Sequence, residues 1–137
     1  MSPRPQKRVS VPKARSKDYR KVAENFYQGA EMAQGFEYWN AAGVLIVHAA
    51  IAYTDAITIR RGGVKSKGED HAAAADLLRG IIPVDEAAQK ALRQLERMIH
   101  EKNRVSYEGH VYTRKDIGNL WKSLERYRAW ARSVLDD

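Results

Sequence analysis

Arg104, Tyr107 and His110 fall within seven residues in the stretch "EKNRVSYEGHVYTRKD", and these three residue types can do phosphate chemistry. An arginine presents a flat fork of donors that matches phosphoryl oxygens. A histidine exchanges a proton near neutral pH, and a tyrosine can orient a phosphate or stack on a base. Arg104 and His110, with five residues between them, therefore raise the question of a ribonuclease site. His110 would move protons, and Arg104 would offset the charge that builds on the phosphoryl oxygens. The same residues also have a structural use: Arg104 can pair with Glu101 or Glu108, Tyr107 can cover the core, and His110 can be a turn residue.

Elsewhere the polar residues point to binding or packing. His48 and Asp55 lie seven residues apart on an apolar segment, so two helical turns put them on one face about 10 Å from each other. Buried polar groups there need partners. Asp55, His71 at the start of "HAAAADLL" and Lys67 in "RRGGVKSKGED" join Tyr107 as candidates for contact with RNA or another ligand. Metal chemistry fits poorly: there is no HExxH, no pair of histidines at i and i+4, and no cysteine. No metal site and no cofactor is expected. A phosphate-cradling loop is missing too, because "RRGG" follows a helix and lacks the Gly-Lys-Ser/Thr ending.

Helices must position these residues. Tyr19, Val22, Ala23, Phe26, Ala30 and Ala33 recur at steps of three and four, which predicts a first helix with Ser16 or Asp18 as cap and Gly35 at its end. Trp39 or Asn40 to about Arg60 is apolar nearly all round, as expected of a central buried helix. "RRGGVKSKGED" reads as a loop, and "EDHAAAADLLRGII" as a short third helix. A fourth helix starts near Asp85 and Glu86, with a stripe of Ala88, Ala91, Leu92, Leu95, Met98 and Ile99. Thr113 and Asp116 resemble a capping box that opens a last helix, whose buried face is Ile117, Leu120, Trp121, Leu124, Ala131, Val134 and Leu135. Nothing argues for a strand. The expected fold is all-α, an up-and-down bundle of four or five helices.

Charge divides the chain unevenly. Residues 1–21 hold eight basic side chains against one acid, Asp18, and so carry the whole net charge of +7, while the remaining residues balance. Three of the four prolines, Pro3, Pro5 and Pro12, lie in the same region. We read 1–17 as a basic disordered arm, able to hold nucleic-acid phosphates or simply to solubilise, and 18–137 as the helical domain. The absence of cysteine fits a reducing compartment. The run from Ala41 to Ile59 is broken by His48, Tyr53, Thr54, Asp55 and Thr58. A cytoplasmic protein with no membrane span is expected, and the basic N-terminus leads into no apolar signal segment.

The order of these segments resembles the HEPN domains of bacteria and archaea. A helix carrying "HAAIAYTDAI", a Gly- and Lys-bearing loop, "GEDHAAAADLL", and a long helix ending in "KNRVSYEGHVY" before a final helix carry the likeness, over about residues 18–135. The resemblance implies a homodimer of four- or five-helix bundles and, through an R-x(4–6)-H motif matched by Arg104 and His110, a metal-independent ribonuclease site at the dimer interface. RNA cleavage or RNA binding of a toxin or defence type would follow. Arg104 and Tyr107 also match the Arg-x-x-Tyr of HEPN relatives not known for catalysis. That match implies the alternative, a non-catalytic module binding a nucleotide or a partner protein such as a minimal nucleotidyltransferase. Trp121, Tyr127 and Trp130 on the last helix are spread too widely to face one core, a further reason to expect a dimer.

Overall fold

A computed structural model describes residues 8–67 and 72–137, apart from the side chain of Asn103. The chain begins with a short strand β1 (Arg8–Ser10) and a 3₁₀ turn (Lys13–Arg15). It continues through α1 (Ser16–Gly35), α2 (Trp39–Gly62), a second short strand β2 (Val64–Ser66), α3 (Ala72–Ile81), α4 (Glu86–Ser106) and α5 (Arg114–Leu135). The molecule is mostly helical, as its periodicities imply.

Helix α2 is the axis. It packs against α1, α3, α4 and α5, and its central stretch is buried without a polar side, because an almost unbroken apolar sequence can only be satisfied by neighbours all round. By length and composition α2 could cross a membrane; most of its surface is covered by the other helices. Around it, Ala23, Ala30 and Ala33 of α1, Ala88, Ala91, Leu92, Leu95 and Met98 of α4, and Ile117, Leu120, Leu124, Ala131 and Leu135 of α5 form the core. Small residues on α1 let it approach α2 closely.

Helix ends follow local chemistry. Thr113 and Asp116 form a reciprocal capping box at the start of α5, and the Asp85 carboxylate accepts from the Ala88 N–H at 2.8 Å to open α4. Gly63 closes α2 in the left-handed conformation, φ 65°, where a side chain would be strained. Two expectations need correction in α1. Neither Ser16 nor Asp18 caps it, since the cap position is Arg15 without a side-chain bond; the Ser16 hydroxyl donates instead to the Ala56 carbonyl of α2 at 2.7 Å. Val22, assigned to the apolar stripe, is 44% exposed.

The disordered arm expected over 1–17 is corrected from Arg8 onward; residues 1–7 lie outside the described part. β1 and β2 pair antiparallel, with Arg8 opposite Ser66 and Ser10 opposite Val64, and the Val11 N–H donates to the Gly63 carbonyl at 2.8 Å. Val11 is buried. The expectation of no strand fails at the same place. Three-residue strands are too short to show alternation, and their pairing depends on where the left-handed Gly63 turns the chain.

Candidate functional site

The α4–α5 connection builds an open pocket of about 170 Å³ at one end of the bundle, lined by Arg97, Glu101, Arg104, His110, Tyr112, Asp116, Asn119 and Leu120. Helix α4 supplies Arg97, Glu101 and Arg104 at steps of four and three, so they share a face. After α4 the chain reverses at Gly109, φ 66°, a turn only glycine adopts without cost. Asn40, in the first turn of α2, then fixes the returning strand of backbone. Its side-chain amide donates to the His110 carbonyl at 2.8 Å, and its carbonyl accepts from the Tyr112 N–H at 2.9 Å. The loop is thereby tied to the core helix, and His110 is held facing the pocket.

Arg104 and His110 meet here. One guanidinium nitrogen lies 3.3 and 3.4 Å from the two ring nitrogens; being nearly equidistant, it cannot be aimed along either lone pair. The contact is a close approach and not a directed bond. Another Arg104 nitrogen reaches Glu101 at 3.4 Å, at the long limit of a bond, and the side chain remains 43% exposed. Glu101 is held more firmly, accepting from the Tyr112 hydroxyl at 2.8 Å. Burial first, and then the Glu101 carboxylate, push the Tyr112 hydroxyl above the ordinary phenol range, so it stays a donor at neutral pH. Tyr112 also sets its ring edge-on to His110, centroids 4.8 Å apart.

On the far side of the imidazole, Asp116 Oδ2 lies 3.8 Å from His110 Nε2 and accepts from the Thr113 N–H at 2.9 Å. That backbone bond is the main reason its carboxyl sits below the usual range, which keeps it charged beside the ring. A proton-accepting histidine, an arginine with unused donors, and two fixed carboxylates that orient them thus surround one open volume. Such a set can bind a tetrahedral oxyanion and move one proton.

The other expected site residues are not brought together. Tyr107 is 73% exposed and turned away, with the Lys102 ammonium 5.8 Å from its ring; it neither covers the core nor lines the pocket, and Tyr112 takes the place assigned to it. Asp55 sits fifteen residues after Asn40 along α2, about 22 Å away. It is buried, and its Oδ1 has no hydrogen-bond partner among the described residues. Burial lifts its carboxyl to about 6 against a smaller opposing pull from Lys65. Lys67 follows β2 at that same distant end and is exposed. His71 lies outside the described residues. His48 is half-buried on α2 with Phe26, ring centroids 5.8 Å apart, where burial first and Lys102 second depress its imidazole.

Tyr112, Asn40, Arg97 and Asn119 were not foreseen. The signal for Tyr112 was its place directly before the Thr113 cap, which fixes its backbone; Asn40 gave none, since its partners lie about 70 residues away. Among the described residues no group of three or more histidine, aspartate or glutamate side chains could hold a metal ion. Comparison with protein-family models, with curated proteins and with solved structures gave no match.

Proposed function

We propose that the protein is a metal-independent endoribonuclease of HEPN type that acts as a homodimer, with Arg104 and His110 as its catalytic residues and a toxin or defence role. The observation that supports this reading is the meeting of these two side chains in one open pocket, 3.3 Å apart, with Arg104 only loosely engaged. In the reaction, His110 takes the proton of a ribose 2′-hydroxyl as the O2′–P bond forms. The P–O5′ bond breaks, O5′ takes a proton, and the products are a 2′,3′-cyclic phosphate and a 5′-hydroxyl end. Arg104 holds the phosphoryl oxygens as charge accumulates on them. The step needs one base and one acid; among the described residues His110 is the one imidazole lining the pocket, and in a homodimer the second copy's His110 would supply the acid. Glu101, anchored by Tyr112, and Asp116, anchored by Thr113, orient the pair.

The experiment is cleavage of single-stranded RNA in the presence of a chelator. His110→Ala should lower the rate by about 10²-fold or more with an unchanged thermal melt. A second reading draws on the lining itself, in which Glu101 and Asp116 equal Arg97 and Arg104 in number, a balance suited to a mixed-charge partner. On that reading the corner belongs to a non-catalytic module that docks a nucleotide or a protein such as a minimal nucleotidyltransferase. It takes precedence if neither structured nor unstructured RNA is cut, or if activity survives His110→Ala.

A further inference from the structure

The pocket is one end of a longer furrow. Lys90, Gln94, Arg97, Glu101 and Arg104 recur at steps of three and four and so share one face of α4, and that face runs beside α5, against which α4 packs. Along the same furrow a second, larger hollow of about 420 Å³ opens between Lys90, Arg93 and Gln94 of α4 and Arg126 and Trp130 of α5, floored by alanines. From Lys90 to Arg104 is fourteen residues, about 21 Å of helix.

Charge is graded along this path. Both carboxylates of the first pocket, Glu101 and Asp116, sit at the Arg104 end. From Arg97 outward the lining is cationic. Arg93, Arg97 and Arg126 are exposed and take part in no ion pair among the described residues, and Lys90 meets only the exposed Glu86 at 3.5 Å. Neighbouring acids are turned elsewhere: Glu96 bonds Arg79, and Glu125 accepts from Tyr27. Trp130 is half-buried in the wall of the second hollow. Gln94 also lines it, with its side-chain oxygen buried and without a hydrogen-bond partner among the described residues.

We infer that single-stranded RNA lies along the α4–α5 furrow, its phosphates on Arg97, Arg93, Arg126 and Lys90 and one base in the Trp130 hollow. A line of cations fits a repeating anion, and a tryptophan wall fits a base. At about 3.4 Å per nucleotide of stacked strand, the path holds about six nucleotides. The ribonuclease reading is needed only for what happens at the Arg104 end; binding along the furrow is a separate claim.

The test measures anisotropy of a labelled, cleavage-resistant 2′-O-methyl RNA of about six nucleotides against salt with the full chain. Arg93→Gln/Arg126→Gln should weaken binding about tenfold and lower the salt slope by about 1.4, at about 0.7 per lost phosphate contact. Cleavage of a dinucleotide, which reaches only the Arg104 end, should be unchanged. Trp130→Leu, which keeps apolar bulk, should weaken binding about fivefold. Unchanged affinity and slope in the double variant, with an unchanged melt, would overturn the inference while leaving the cleavage reading intact. So would a fall from dimer to monomer by light scattering in that variant with no change in RNA affinity, since the furrow would then hold a second copy of the chain. Furrow-dependent binding by a protein that cuts nothing supports the inference and sinks the ribonuclease reading.

Discussion

Two arginines in this molecule have the same kinds of neighbour and opposite circumstances. Arg128 of α5 donates to Glu24 of α1 at 2.8 Å and to Tyr53 of α2 at 2.9 Å, and its guanidinium lies 3.9 Å from the centre of the Tyr27 ring. Burial alone would weaken its charge, but the bonds to Glu24 and Tyr53 outweigh it and raise the guanidinium further; burial would likewise raise the Glu24 carboxyl, but its bonds with Arg128 and Tyr53 hold it below the ordinary range. Arg104 also has a glutamate, a tyrosine and an aromatic ring close by, yet its contacts are at 3.3 to 3.4 Å. The first arginine welds three helices together. The second keeps donor capacity in reserve, and reserve capacity beside an open volume is what distinguishes a site from a strut.

The comparison breaks most visibly in stability. Arg128→Ala should lower the unfolding free energy by about 2–4 kcal/mol, because Glu24 is left half-buried and unpaired, whereas Arg104→Ala should cost under about 1 kcal/mol. Urea melts decide it, and equal losses would abolish the distinction. Asp55 sharpens it next, as an interior charge without the partners Arg128 enjoys. Its folded carboxyl sits at about 6 and its ordinary value is 3.8. Between those values the folded chain keeps a proton that the unfolded chain has lost. Stability therefore falls as pH rises through the window, and the penalty persists above it. Asp55→Asn should accordingly stabilise by about 1–3 kcal/mol at about pH 7.5 and by little at about pH 4, read from melts at the two pH values.

Smaller effects belong to the corner itself. Thr113→Ala removes half of the capping box and should cost about 1 kcal/mol. It should lower any activity at the pocket by no more than that loss explains, since the Thr113 N–H that holds the Asp116 carboxylate beside His110 is kept. Paired melts and rate measurements test this. Tyr107→Ala should be nearly silent, under about 0.5 kcal/mol in a urea melt and without effect on any activity at the pocket, while Tyr112→Phe disturbs Glu101. Reversed ranks for these two tyrosines would mean that the exposed residue, and not the bonded one, serves the site.

What the sequence made legible was local. The Thr113 box, the stripe on α4 and the all-round apolar α2 are set by residues within a turn or two of each other, and the proximity of Arg104 and His110 follows from one short loop. What escaped it was held by distant partners. The arm misled because its order rests on β1 facing β2 across more than fifty residues of chain, with Arg8 opposite Ser66, and on Ser16 reaching Ala56; composition sees neither. Tyr107 stands nearer Arg104 in sequence, yet Gly109 and Asn40 turn the chain so that the farther tyrosine, Tyr112, faces the pocket. The spread of aromatics on α5 likewise finds internal answers: Tyr127 is fully buried and shares a 2.5 Å bond with Thr54, and Trp121 stacks on Tyr27 with centroids 4.8 Å apart.

The two bonds of Asn40 have a consequence for motion. A loop tethered only to its own flanking helices would open on its own, with an amide exchange rate set by local fraying. Here the backbone on both sides of Val111 is clamped to the first turn of α2, so an exposed Val111 sits between two fixed neighbours. Moving the His110 backbone requires the Asn40 side chain to release both bonds, while the helix itself can stay formed. The corner therefore opens only when both bonds are given up together, and His110 is held by a contact between segments about 70 residues apart in the chain.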